Sequence, residues 1–369
     1  MSIAAPQRDV FEQVAIIAPE SGELLDDETY SPYLEDIGDS ELQDLYRDLV
    51  VVRRLDAEAT ALQRQGQLGL WAPLAGQEAA QIGSARALRP GDFVFPSYRE
   101  HGVAYVRGVD PAVILRLWRG ASLGGWNPRD VNMMTPAIVI GPHLLFAVGY
   151  GMGILRDKSL NSAVDDVVIA YCGDGGTSQG DFSEALGFAA GFRTPTVFFV
   201  QNNQYAISSP VGIQATVPIV QRAQGFGMHG IRVDGNDVLA VLAVTRYAAE
   251  RARNGDGPTL IEAVTYRMGP HTTSDDPTRY RDAEELELWR QRDPIDRLRR
   301  ALDARGLAGA EFLASAEESG DRYAADVRAG CIATPDPDPT SIFDNVYATR
   351  TALLAEERAD FADLHGLAK

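Results

Sequence analysis

The sequence predicts an α/β chain: a parallel sheet with helices on both faces. Three observations carry that expectation. Short apolar runs rich in β-branched or aromatic residues recur at 93–95, 167–171, 196–200, 230–234 and 259–266, as strands buried on both faces do. Helical patterns alternate with them, at 181–192 and 238–253, and such alternation demands crossovers that cover a parallel sheet. One run ends in Cys172-Gly173-Asp174-Gly175-Gly176-Thr177-Ser178-Gln179-Gly180-Asp181, and the next ends in Asn202-Asn203. A strand-helix-strand unit brings those two ends to one edge of the sheet, where α/β ligands bind.

Each element has its own signal. Residues 1–37 are acidic, have little amphipathic periodicity, and read as an extended arm. Ser40 with Gln43 resembles a capping box opening a helix through Leu42, Leu45, Leu49, Val52 and Leu55, which Gln65-Gly66-Gln67-Leu68-Gly69 breaks. A second helix over 76–87 is stopped by Pro90-Gly91, and the 93–95 strand leads into Ser97-Tyr98-Arg99-Glu100-His101. The stretch 143–156 reads as an apolar helix whose small residues permit close packing. The 181–192 helix has its apolar positions at Phe182, Leu186 and Ala189 or Ala190. Thr334-Pro335-Asp336-Pro337-Asp338-Pro339 is a linker signal. The organisation is therefore an arm (1–37), one domain (38–330), and a C-terminal linker and tail (331–369), with no internal repeat.

Composition excludes several function classes. The 369 residues are 45% hydrophobic and 23% charged, ordinary for a globular protein. A net charge of −18 argues against nucleic acid or an anionic membrane surface as partner, and no apolar run approaches a spanning helix. The N-terminal region is acidic where a transit peptide would be Arg-rich, so a cytoplasmic location is expected. Cys172 and Cys331 make no disulfide framework or metal motif, and Cys172, closing a buried strand, reads as packing. Gly149-Tyr150-Gly151-Met152-Gly153 fails the dinucleotide fingerprint because Ile154 occupies the sixth position. No P-loop occurs.

The Gly-Asp-Gly and Asn-Asn segments suit a metal-diphosphate clamp. Mg²⁺ requires near-octahedral oxygen ligation, takes one or two protein carboxylates, and lets phosphate oxygens complete its shell. Asp174 and the Asn203 amide meet that need. Gly173, Gly175 and Gly176 let backbone approach a diphosphate closely, and a helix N-terminus nearby favours its charge.

The longer strings narrow the reading. Residues 173–182, Gln201-Asn202-Asn203-Gln204-Tyr205-Ala206-Ile207-Ser208, and Gly269-Pro270-His271-Thr272-Thr273-Ser274-Asp275-Asp276-Pro277-Thr278-Arg279-Tyr280-Arg281 resemble the alpha subunit of the decarboxylase component of heterotetrameric 2-oxo acid dehydrogenases. That family acts on pyruvate, branched-chain 2-oxo acids or acetoin, and the resemblance covers about residues 42 to 347. It implies the diphosphate-binding domain of a thiamin diphosphate fold, with thiamin diphosphate and Mg²⁺ as cofactors. It implies Mg²⁺ ligation by Asp174, Asn203 and the Tyr205 carbonyl. Tyr98 and Arg99 would touch the diphosphate and pyrimidine, and Ile140 would lie under the bent cofactor. Ala206 and Ile207 fall in the cofactor-binding string, and His271 would face diphosphate and substrate as the catalytic residue. The implied partners are a beta subunit, in an α₂β₂ assembly, and a lipoyl-bearing acyltransferase that takes the acyl fragment.

Three positions depart from the pattern. Gln201 stands where branched-chain mammalian relatives carry Arg, so one diphosphate contact is lost or supplied elsewhere. Pro142-His143 disfavours the monovalent-cation site of some members, and Thr272 replaces a serine phosphorylated in mitochondrial relatives, so kinase regulation is not expected. Val233-Asp234-Gly235-Asn236-Asp237-Val238 and the ungapped Ser274-Asp275-Asp276 look like branched-chain members, so a 3-methyl-2-oxobutanoate-type substrate is expected ahead of pyruvate or acetoin. A single-chain enzyme of the transketolase type needs a second cofactor domain and a far longer chain. A catalytically silent scaffold subunit has no use for intact Asp174, Asn203 and His271.

Overall fold

The computed structural model describes residues 12–122, 125–161 and 163–367. Its main sheet joins β1 (Phe93–Phe95), β2 (Val168–Gly173), β3 (Thr196–Asn202), β4 (His229–Asp234) and β5 (Thr259–Val264) in the order β1-β2-β3-β5-β4. Every neighbouring pair is parallel. The principal helices are α1 (Asp39–Arg64), α2 (Glu78–Arg86), α3 (Pro142–Leu160), α4 (Gly180–Phe192), α5 (Val238–Arg253), α6 (Pro294–Ala304) and α7 (Ala310–Ala333).

Alternation along β2 shows how the layers form. Ile169 and Tyr171 join one core cluster with Leu49, Ile82 and Val241 of α1, α2 and α5. Val168, Ala170 and Cys172 point the other way, to Leu144 and Phe182 of α3 and α4. Side chains of period two placed between two helical layers must be apolar throughout, which is why the strands read as continuous apolar runs.

Two expectations are corrected. The α1 cap is Gly38, with Glu41 reaching back to accept from its N–H at 3.2 Å, because the helix starts at Asp39, before Ser40 can act as cap. Between β2 and α4 the chain makes a 3₁₀ turn, Asp174–Ser178, ahead of the expected helix. The boundary at 331 falls inside α7, which continues to Ala333 with Val327 and Cys331 buried. The tail beyond it carries a further helix, Ala352–Leu364, with no buried residue.

From residue 12 the arm is stitched down but not extended throughout: it folds back with Ile17 bridged to Leu24 and carries a 3₁₀ turn at Ser31–Leu34; residues 1–11 lie outside the described residues. Val14 pairs in parallel with Val233 and so covers the free edge of β4. The N–H groups of Ile16 and Ile17 donate to the buried Asp237 carboxylate at 2.7 and 2.6 Å, and Arg297 donates to the Ile17 carbonyl.

His101 shows what this packing does to a titratable group. Its ring stacks on Trp71 at 4.0 Å, and Nε2 lies 3.1 Å from the Ala72 carbonyl, so Nε2 carries the proton. Burial pushes its pKa down from 6.5 to about 3. The folded pKa is depressed, so the native state is favoured above pH 6.5 and loses that margin as pH falls toward 3. Between pH 7.5 and 5 the loss is about 2 kcal/mol. Urea unfolding of wild type and His101→Gln at both pH values should show that extra loss in wild type alone; parallel losses would refute it.

Candidate active site

A cavity of about 410 Å³ opens at the carboxyl ends of the strands, and it gathers every residue the sequence singled out: Tyr98, Arg99, Ile140, Gly173, Asp174, Gly175, Gly176, Asn203, Tyr205, Ala206, Ile207 and His271. Strand register does this work. Gly173 at the end of β2 pairs with Gln201 of β3, which sets Asp174 beside the Asn pair. Asn202 pairs with Val264 of β5, which carries the following residues up to Asn203.

At the floor the Asn203 amide oxygen faces two others. Asn203 Oδ1 lies 3.1 Å from the Tyr205 carbonyl oxygen and 3.2 Å from Asp174 Oδ1, while its amide nitrogen donates to Gln77 Oε1 at 3.0 Å. Turning the amide over would give both oxygens a donor, but would set the Asn203 oxygen against that of Gln77. Acceptors turned on each other in this way repel unless a cation lies among them. Their spacing is close to the roughly 2.9 Å between neighbouring oxygens of an octahedron with Mg–O about 2.1 Å. Burial lifts the Asp174 carboxyl from 3.8 to about 6, although Gln214 donates to its other oxygen at 3.0 Å. No ion-pair partner reaches it among the described residues. A buried carboxylate of this kind calls for a positive partner. Among the described residues no three His, Cys, Asp or Glu converge to hold a metal, so a cation here would draw on amide, carbonyl and ligand oxygens.

The wall above the floor is close-fitting. A Cβ on Gly175 would come within 2.6 Å of Ala206 Cβ, so only glycine permits this approach of the two loops. Ile140 sits over the same turn, 3.4 Å from where a Gly176 Cβ would be. Cys172 is buried beneath, and burial pushes its thiol up, away from nucleophilic use.

Arg99 and His271 form the opposite wall. Arg99 is buried and forms no pair with Glu100; it donates to the Pro73 and His271 carbonyls and lies 3.3 Å from His271 Nδ1. Accepting at Nδ1 leaves the proton on Nε2. Burial, then the Arg99 and Arg267 charges, push His271 from 6.5 to about 4, so it is neutral near pH 7 and available as a single hydrogen-bond donor. Its loop is ordered by polar contacts in place of burial. Asp275 accepts from the His271 N–H at 2.7 Å and from the Tyr280 hydroxyl. Arg281 donates to the carbonyls of Arg267, Met268 and Gly269. Asp276 caps the 3₁₀ turn Pro277–Arg279.

Sequence reasoning missed Arg267, Gln77, Glu100 and Trp118 on the lining. Arg267 is 1% exposed and holds the carbonyls of Tyr205 and Ile207 at 2.9 and 2.7 Å. Its signal was an Arg three residues beyond an apolar strand, which means nothing until β5 is known to lie beside β3. Gln201 turns away from an Arg-like role: it donates to Glu100 at 2.6 Å and accepts from Gln81 at 3.2 Å. His143 is buried, with its imidazole bonded to the Tyr171 carbonyl at 2.8 Å.

Comparison with known proteins adds the following. The family profile described as "Dehydrogenase E1 component" matches residues 46–339. The 3-methyl-2-oxobutanoate dehydrogenase subunit alpha of Mycobacterium tuberculosis H37Rv is 48% identical over 88% of each chain. The pyruvate dehydrogenase E1 component subunit alpha of Bacillus cereus is 40% identical over 94% of this chain and 91% of its own. That of Bacillus subtilis is 44% identical over 79% and 76%.

Two outcomes are expected. Asp174→Asn should fold as wild type yet lose Mg²⁺-dependent thiamin diphosphate binding by a hundredfold or so, since a Mg²⁺ ion held there would have few other protein ligands; isothermal titration with wild-type affinity would remove Asp174 from the clamp. His271→Ala should depress turnover far more than thermal stability, and hydrogen exchange across 269–281 should slow when thiamin diphosphate and Mg²⁺ bind. Equal protection with and without cofactor, together with normal turnover, would make the loop mere surface.

Proposed function

The chain belongs to the dehydrogenase E1 component family, thiamin diphosphate-dependent oxidoreductases whose alpha subunits work with a beta subunit, and from that membership we propose a branched-chain role. In this reading the chain is the alpha subunit that oxidatively decarboxylates a 3-methyl-2-oxobutanoate-type acid and passes the acyl group to a lipoyl-bearing acyltransferase. The observation that supports the chemistry is the Asn203 amide oxygen set between Asp174 Oδ1 and the Tyr205 carbonyl in a cavity lined by Gly173, Gly175 and Gly176. Branched-chain specificity is supported by 48% identity to a protein named for that substrate. Pyruvate is the second reading, favoured by the breadth of the match to the Bacillus cereus protein.

The residues divide the work. Asp174 and Asn203, with the Tyr205 carbonyl, would hold Mg²⁺ against the diphosphate. Gly175 and Gly176 would let backbone lie along it, and His271 would donate to it from the opposite wall. Tyr98 and Arg99 would meet the diphosphate and pyrimidine, with Ile140 beneath as the apolar support. Thiamin diphosphate, when bound, supplies a nucleophilic thiazolium carbon and an electron sink for loss of CO₂. Leu70, Trp118 and Ile138 complete the lining with apolar surface, suited to exclude water and accept an aliphatic acyl chain.

The α₂β₂ assembly is part of the proposal. Along α3, Phe146 and Tyr150 are 63% and 43% exposed, and Cβ atoms on Gly149 and Gly153 would meet nothing within 4 Å. An apolar helix face lined with glycines permits close approach of another chain, and the beta subunit is the partner proposed for it. Free, buried cysteines are compatible with the proposed cytoplasmic location, which cell fractionation tests.

Reconstitution decides the reading. The purified chain alone should show no 2-oxo acid decarboxylation. With its beta subunit it should form a heterotetramer by native mass spectrometry and turn over 3-methyl-2-oxobutanoate with a higher kcat/KM than pyruvate. Preference for pyruvate would move the assignment to the second reading, and robust turnover by the chain alone would end both.

A further inference from the structure

Tyr205 belongs to two structures at once. Its carbonyl oxygen lies 3.1 Å from the Asn203 amide oxygen, while its phenol donates to Glu285 Oε2 at 2.7 Å. The same carboxylate oxygen accepts from the Tyr266 hydroxyl at 3.1 Å. Glu285 lies on the helix Ala283–Arg290, which begins directly after the His271 loop and has no buried residue of its own. Apart from Glu285, that helix is docked by Trp289, whose ring stacks on Tyr266 at 5.2 Å.

The backbone at Tyr205 needs such an anchor. Gln204 and Ile207 on either side have φ of 75° and 56°, a region that costs a non-glycine residue, and a β-branched one above all, about 1–3 kcal/mol. Such conformations persist only where the surroundings over-determine them. Arg267 holds the segment from the sheet side through the carbonyls of Tyr205 and Ile207. The Tyr205 side chain holds it from the outside, and its phenol has Glu285 as its hydrogen-bond partner among the described residues.

We infer that Glu285 is a positioning residue for the cation site: by fixing the Tyr205 phenol it keeps the strained 204–207 segment in place and the Tyr205 carbonyl aimed at Asp174 and Asn203. Through Arg267, which also donates to the Tyr280 hydroxyl at 3.0 Å, the same segment is tied to Asp275 and the His271 loop. Docking of helix 283–290 and cation binding are then one event.

The inference rests on the thiamin diphosphate and Mg²⁺ reading above, and its test separates the two. Mn²⁺ is titrated into the complex with the beta subunit, in the presence of thiamin diphosphate, and free Mn²⁺ is followed by its paramagnetic resonance signal. Glu285→Ala should weaken Mn²⁺ binding about tenfold or more, as loss of an outer partner of a metal ligand does. Glu285→Gln, whose amide oxygen still accepts from the phenols, should recover most of the affinity. Tyr205→Phe should reproduce the loss, and combining it with Glu285→Ala should cost little more, because the two remove one interaction. Wild-type Mn²⁺ affinity in Glu285→Ala would overturn the inference. So would a lowered metal-free unfolding midpoint in Glu285→Ala with Tyr205→Phe binding normally, which would mark Glu285 as only a helix anchor. Absence of Mn²⁺ binding by the wild-type complex would instead overturn the functional reading, and this inference with it.

Discussion

A carboxylate buried at the end of β2 is the constraint to which the rest of the site responds. Burial raises the Asp174 carboxyl from 3.8 to about 6, so ionising it at neutral pH costs roughly 3 kcal/mol, a large part of a typical 5–15 kcal/mol stability. The Gln214 amide, nearby backbone N–H groups and the Arg267 charge offset part of that cost without removing it. Such a position suits the proposed cation.

Holding the Asn203 amide oxygen against Asp174 and the Tyr205 carbonyl requires rigidity around them, and that rigidity is drawn from polar contacts more than from the core. The backbone turns through αL at Gln204 and again at Ile207. Arg267 clamps the carbonyls between them, and the Asn203 amide is oriented by Gln77. On the far wall the loop bearing His271 contains almost nothing to bury. Arg281 therefore satisfies three backbone carbonyls with one guanidinium, and Asp275 collects both an amide and a phenol. Charge-assisted bonds of this type are about twice as strong as neutral ones, which lets a loop of Gly, Pro, Thr, Ser and Asp hold one shape.

What could be read from the sequence follows the range of the interactions involved. Buried parallel strands announce themselves because both of their faces must be apolar, so 93–95, 167–171 and 196–200 were legible along with the helices between them. Asp174 and Asn203 were legible because chemistry restricts the residues at a strand end. Arg267, Gln77 and Glu100 were not, since each acts on a residue far off in the sequence that no local pattern places beside it: Arg267 on Tyr205 and Ile207, Gln77 on Asn203, Glu100 on Gln201. The cap at Gly38 was missed because glycine gives no side-chain signal; the Glu41 three residues later did. The continuation of α7 through 331 was hidden by the Pro-rich run just beyond it, which marks where the helix must already have ended and not where it first could.

The same polar economy bears on the proposed second chain. Several titratable groups lining the cavity already have a task. Asp174 faces the proposed cation position. Glu100 is buried with one oxygen taken by Ser97 and the other by Gln201. Arg99 is spent on carbonyls, His271 is held neutral by burial and by two guanidinium charges, and Cys172 is driven toward its protonated form. Nothing on this lining is placed to cycle a proton at a heterocycle near neutral pH. The face that could bring such a group is open: α3 runs into the rim at Ile140 and Gly141, and beyond it carries exposed Phe146 and Tyr150 beside glycines with nothing over them. A partner packed there would lie at the mouth of the cavity. Completing the hydrophobic surface and completing the acid-base chemistry would then be the same act of assembly.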